Sequence, residues 1–186
     1  MSAFKSSEAA QMCNDLIEVV KGGNVAAFQR LQTMLKDEFD INWNNEHGDT
    51  YLMAASFHGH MNVVPYLVGK GAIVDQKSKY GCTALFYALK GEHLDIARLL
   101  LESGADPKVQ PVYTKNNVFP LFGASQNNQP EACELLLSFG ANLDQTCNGM
   151  TSLQIAIQQN STEAIMVLQA ATDEKKEDLK KANVIA

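Results

Sequence analysis

Three of the four histidines stand where a metal site would be sought first. His58 and His60 are separated by one residue, and His93 follows His60 by 33. Imidazole nitrogens are common zinc ligands, and a pair this close could share one cation. A zinc site needs further ligands, however, and no carboxylate or thiol accompanies the pair at ligand spacing. The four cysteines (Cys13, Cys82, Cys133 and Cys147) form no Cys-x-x-Cys pair. Cys13 and Cys133 fall at apolar helical positions, where a buried, reduced thiol is the ordinary outcome, so neither disulfides nor structural zinc are expected. The chain contains no Gly-x-Ser-x-Gly, no phosphate-binding glycine loop and no His-Glu-x-x-His. No catalytic residue, cofactor site or metal ligand is therefore assigned, and the chain is not expected to be an enzyme. Asn160-Ser161-Thr162 fits a glycosylation acceptor, but with Glu163 it reads better as a helix N-cap.

The elements carrying these residues repeat. Gly48-Asp49-Thr50-Tyr51-Leu52 returns 33 residues later as Gly81-Cys82-Thr83-Ala84-Leu85. Leu52, Leu85, Leu121 and Leu153 hold equivalent positions, each followed three residues later by Ala55, Ala88, Ala124 and Ala156. The units close on Gly71-Ala72, Gly104-Ala105 and Gly140-Ala141, and Leu16 to Gly23-Asn24 reads as a degenerate first unit. A fixed period of this size means one supersecondary unit used repeatedly. Such a stack offers a long surface and no deep central pocket, which favours binding over catalysis.

With Gly-x-Thr-x-Leu, Ala, Gly-His, Leu-Leu and Gly-Ala in register, residues 8 to 171 resemble the ankyrin repeat family. The resemblance implies an all-α ankyrin-repeat solenoid of about five helix–turn–helix units with projecting β-turn loops, the outer repeats degenerate. The repeats run approximately 8–43, 44–76, 77–109, 110–144 and 145–171. Residues 172–186 form a charged C-terminal extension, and the whole of 1–186 is expected to be a single domain. The family's Pro survives only at Pro120, with Tyr51, Ala84 and Ser152 elsewhere. Its His after Leu is replaced by Met53, Phe86, Phe122 and Gln154, so apolar contact is expected where the family has a hydrogen-bonded ladder. His60 and His93 occupy the family's Gly-His slot, which implies bridging between the loops of adjacent repeats. Asp40-Ile41-Asn42 is similar to repeats whose Asn is hydroxylated in animal relatives, but Met34 replaces the preferred upstream Leu, and Asn42 is expected simply to bond the turn backbone.

Within each unit the apolar spacing predicts two short helices. Leu85, Ala88 and Leu89 share one face, then Leu94, Ala97, Leu100 and Leu101 the next. Pro130 fits a first helical position, whereas Pro65 falls about four residues into its helix, which must start late or bend. At the N-terminal end, Ala9, Met12, Cys13, Leu16, Ile17 and Val20 form an apolar stripe, leaving Gln11, Asp15 and Lys21 outside as a cap. At the other end, Asp173 to Lys181 reads as a solvated helix with Glu177 and Lys181 spaced to pair.

The formal net charge of −6 argues against a nucleic-acid surface, which needs a basic stripe to neutralise phosphates. No apolar run suits membrane insertion, and the N-terminus lacks a signal core, so a cytoplasmic, and also nuclear, location is expected for a chain that is monomeric by itself. The expected partner is a protein. In ankyrin-like stacks contact is made by turn tips and exposed first-helix positions, which implies Trp43, Glu46, His47, Asp49, Phe57 and His58 in the second unit. The third supplies Lys79, Tyr80, Cys82 and Lys90, and the fourth Lys115, Asn116, Val118, Gln126 and Asn127. The fifth supplies Cys147, Asn148, Met150 and Gln158. Tyr80, Phe57 and Trp43 are the expected energetic anchors, since aromatics dominate interfaces, although Trp43 can instead pack under its own turn. The connector from Val109 to Phe119 is three residues longer than the period, and Tyr113 and Lys115 are expected to project from it. The function implied is noncatalytic adaptor or scaffold binding. The alternative is a stoichiometric inhibitor or regulatory subunit of an enzyme such as a kinase, as in small ankyrin proteins resembling cyclin-dependent kinase inhibitors.

Overall fold

A short helix cannot bury its apolar stripe alone, and each helix here is covered by neighbours one or two elements away. The structure, a computed structural model, describes residues 7–35, 39–109 and 118–185, with side chains from residue 11 to 181. Its contacts divide into two compact units, residues 1–106 and 107–186. The first holds α1 (Ser7–Lys21), α2 (Val25–Leu35), α3 (Tyr51–Phe57), α4 (Val64–Gly69), α5 (Ala84–Lys90) and α6 (Leu94–Glu102). The second holds α7 (Pro120–Gln126), α8 (Pro130–Ser138), β1 (Thr146–Cys147), β2 (Met150–Thr151), α9 (Ser152–Gln159) and α10 (Thr162–Ile185).

The repeated Thr has a local cause. Thr50, Thr83 and Thr151 sit in extended backbone just before α3, α5 and α9, and their hydroxyls accept from the N–H of Met53, Phe86 and Gln154. Each satisfies one orphan donor of a helix start, worth about 1 kcal/mol. At Thr151 the Gln154 side chain answers by accepting the cap's own N–H, which completes a capping box. The closing glycines have an equally local cause. Gly71, Gly104 and Gly140 follow the second helices at φ of 88°, 94° and 84°, a region that L side chains avoid. Pro130 opens α8, and α4 begins only at Val64, so Pro65 lies in the first turn where no N–H is required. The helix starts late, as the sequence predicts.

In the first unit α3 packs against both α1 and α5. Ala55 and Ala88 are fully buried, and their small side chains permit this close approach. Cys13, Leu16, Ile17 and Val20 are buried on α1 while Gln11, Asp15 and Lys21 stay exposed, as expected for a capping helix; Ala9 lies outside the described side chains. Tyr51, standing in the family's Pro slot, is the centre of an aromatic core. Phe28 meets its ring edge-on at 5.3 Å, Trp43 stacks on it at 5.7 Å, and its hydroxyl donates to the Cys13 carbonyl at 3.4 Å. Burial pushes this phenol far above its ordinary pKa.

In the second unit α7 packs against α8 and α9, and α10 covers α8 and α9. β1 and β2 pair antiparallel as a small hairpin, Thr146 opposite Thr151 and Cys147 opposite Met150, turning through Asn148 and Gly149 at positive φ. Two expectations change. Asn160 does not cap α10: it closes α9 in the left-handed region at φ 56°, and Glu163 accepts instead from the Asn128 amide at 3.2 Å. Lys181 pairs with Asp178 at 3.7 Å and not with Glu177, the i,i+3 spacing being as compatible with pairing on a helix surface as i,i+4. The charged stretch from Asp173 to Lys181 is helical, as expected, and is continuous with the rest of α10.

Candidate protein-interaction site

Two of the histidines fasten one repeat to the next. His60 places Nε2 2.6 Å from the Lys21 carbonyl, and His93 places Nε2 3.1 Å from the Phe57 carbonyl. A carbonyl only accepts, so each ring donates its Nε2–H. In both cases the accepting carbonyl lies two residues before a positive-φ glycine, Gly23 and Gly59 respectively. The second unit repeats the device with other side chains: Ser161 donates to the Gln126 carbonyl at 3.4 Å, two residues before Asn128 at φ 52°. Asn42 has a similar role, its Oδ1 accepting the N–H of Ile73 in the next repeat at 2.8 Å. Among the described residues no three His, Cys, Asp or Glu groups converge as metal ligands would.

The fingers before α3 and α5 carry the predicted contact residues of the first unit. Asn45 Oδ1 accepts the N–H groups of His47 and Asp49, folding a tip that presents Glu46 and His47 to solvent. The next finger turns through Lys79 and Tyr80, both exposed, and the Lys79 N–H donates to the His47 carbonyl so that the two tips are joined. Tyr80 is 47% exposed and Phe57 38%, high values for side chains so apolar. Lys90 holds its ammonium 5.8 Å from the Phe57 ring centroid. Trp43 is half-buried on Tyr51, under its own turn, and contributes to the core before it contributes to any surface.

Cys82 and Cys147 are a correction. Both were expected at the contact surface, yet they are only 3% and 1% exposed. Each follows a turn tip, where the chain re-enters the fold and alternate side chains point inward. The Cys82 N–H donates to Ser78 Oγ, and burial raises the pKa of both thiols. In the second unit Asn127, Asn148 and Gln158 are exposed, while Val118, Gln126 and Met150 are half-buried. Tyr113, Lys115 and Asn116 lie outside the described residues.

One concavity gathers several of these groups. A cleft of about 120 Å³ in the first unit is lined by Ile17, Lys21, Asn45, Asp49, Met53, Ala54, Phe57, His58 and Tyr87. Its floor is the apolar trio Ile17, Met53 and Ala54, and Phe57 meets Tyr87 edge-to-face at 6.1 Å in its wall. The Tyr87 hydroxyl donates to Asp49 Oδ1 at 3.1 Å, which fixes the carboxylate against α5. Burial first and that carboxylate second push the Tyr87 phenol well above its usual pKa. His58 shifts the other way: partial burial, then the neighbouring His60 and Lys21, lower its pKa, so it is neutral at pH 7. Sequence reasoning missed Lys21, Asn45 and Tyr87. Tyr87 carried a usable signal, because it stands three residues before Lys90 on the same exposed helical face.

Known proteins match the same architecture. The family model for ankyrin repeats (3 copies) matches residues 16–111 and 110–178. The human "Ankyrin repeat and KH domain-containing protein 1" is 33% identical over 96 residues, which is 52% of this chain and 4% of that protein. The zebrafish "Putative palmitoyltransferase ZDHHC13" is 27% identical over 146 residues, 76% of this chain and 22% of that one. The "Putative ankyrin repeat protein L371" of Acanthamoeba polyphaga mimivirus is 27% identical over 134 residues, 72% and 17% of the two chains. The chain thus spans less than a quarter of each of these relatives, so their other named features belong to them. Ankyrin repeats are generally protein–protein interaction modules. With its Thr caps, its closing glycines and a family match over most of its length, this chain belongs to the ankyrin repeat family.

Proposed function

We propose that the protein is a noncatalytic adaptor or scaffold that binds a partner protein through its finger tips and the adjoining first-helix positions. The observation that carries this reading is the exposure of Phe57 and Tyr80, which the fold has no packing reason to leave uncovered. Large aromatics at such positions are what interfaces use as anchors. Exposed polar groups stand beside them: Lys90 lies over Phe57, Lys79 precedes Tyr80, and the Lys79 N–H ties this tip to the one that carries Glu46 and His47. Four buried cysteines, none of them in a disulfide, suit work in a reducing compartment, the cytosol or nucleus.

Affinity purification of the tagged full chain, with mass spectrometry, tests the proposal. The companion bait carries Phe57→Ala and Tyr80→Ala, neither of which removes a buried side chain. Partners retained by the native chain and lost from the variant support it. Several stoichiometric subunits indicate a scaffold, and one dominant enzyme indicates an inhibitor. Equal recovery by both baits refutes the assigned surface.

A further inference from the structure

Resting on the protein-binding reading, we propose that the cleft between Asp49, Phe57, His58 and Tyr87 takes one cationic side chain, arginine or lysine, from an extended basic segment of the partner. The lining selects against other occupants. An anionic side chain meets the Asp49 carboxylate as a like charge. An apolar side chain strips water from that carboxylate and returns nothing, since Tyr87 engages Oδ1 while Oδ2 takes no hydrogen bond among the described residues. A cation answers both problems. It pairs with Oδ2, lays its aliphatic stem on the Met53 and Ala54 floor, and meets the ring faces of Phe57 and Tyr87.

Nearby positive groups do not close the cleft to a cation. The Lys21 ammonium is held 2.6 Å from Glu18 Oε1, and His58 is neutral at pH 7. Lys90 is a further like charge outside the lining, and its ammonium already lies over the Phe57 ring at 5.8 Å, the contact a bound cation would also make. The chain's net charge of −6 adds a favourable long-range field for a basic segment.

The probe is a phage-displayed library of random 12-residue peptides selected on the immobilised full chain. Enriched peptides are expected to share one Arg or Lys at a fixed position, and replacing it with norleucine is expected to weaken binding tenfold or more. Asp49→Asn keeps an acceptor for the Tyr87 hydroxyl and should cost a similar factor; Phe57→Leu keeps the apolar area but removes the π face and should cost several-fold. Lys90→Gln should strengthen binding. If Asp49→Asn fails to fold, Phe57→Leu and Lys90→Gln decide the matter alone. Enriched peptides without a fixed cation, or indifferent to these changes, overturn the cationic assignment and leave protein binding standing. No enrichment at all overturns the cleft as a site for any linear segment, while the Phe57 and Tyr80 purification still judges the wider reading.

Discussion

Replacing Gly59 by alanine separates two reasons for a glycine, backbone conformation and the space a neighbour occupies. Gly59 has φ of 75°, and a Cβ built there would lie 2.4 Å from His93 Cε1 and 2.7 Å from Nδ1. Gly71, at φ 88°, would place its Cβ in open space. The left-handed conformation costs an L residue about 1–2 kcal/mol, so Gly71→Ala should lose about that much. Gly59→Ala adds the displacement of a ring tied to the Phe57 carbonyl, and overpacking of this kind costs about 1–3 kcal/mol. His93→Ala alone should lose about 0.5–1.5 kcal/mol, the net worth of its hydrogen bond. In the double variant the clash is gone, so the two losses should fall short of their sum by about 1–3 kcal/mol. Guanidinium titration followed by fluorescence is the assay. Trp43 is the only tryptophan and lies in the first unit, so its emission reports this unit even if the array unfolds in stages. Additivity within about 0.5 kcal/mol would refute the claim that His93 dictates Gly59. It would also leave the placement of Phe57, whose carbonyl His93 holds, without its stated cause.

The unfolding midpoint should respond to pH through His58. Its folded pKa is lowered, so at acid pH the unfolded chain binds the extra proton first, and stability is lost as pH falls below about 6.5 through the folded value. Trp43 titrations at pH 7.5 and 5.5 should show a smaller drop for His58→Gln than for the native chain, and identical drops would contradict the assignment. The four thiols are buried, Cys133 with its pKa pushed up to about 11, so Ellman's reagent at pH 8 should label none in the native state and all four in guanidinium. A thiol that reacts within seconds under native conditions would place Cys82 or Cys147 back on the surface. Asn42→Ala should lower stability by about 0.5–1.5 kcal/mol through the orphaned Ile73 N–H, whereas Lys181→Ala should change it by less than about 0.5 kcal/mol. Equal effects would mean that Asn42 is no more than a surface residue.

Much of the fold was legible because its causes are local. A Thr at a helix start, a glycine at a helix end and a Leu on an apolar face act within a few residues, and a period of 33 repeats them until noise averages out. The late start of α4 at Pro65 belongs to the same class. The slot of His60 and His93 was also readable, since its donors reach back to carbonyls 39 and 36 residues earlier and each time find one two residues before a positive-φ glycine. What escaped is contact between unlike slots. Tyr87 meets Asp49 across 38 residues, in a pairing that no other described repeat shows, so aligning repeats erases it. The burial of Cys82 and Cys147 escaped for a related reason: the tip of a finger is exposed, but the direction of the residue after it depends on the pleat and not on its distance from the tip. Departures from the repeat therefore carry the information that the repeat cannot. Tyr51 replaces a proline and builds the aromatic core, while Phe57, His58 and Tyr87 fall at positions the fold leaves unspecified and assemble a cleft of particular chemistry. A consensus repeat would keep the stack and lose that cleft, which is why recognition is to be sought in these side chains and not in the period.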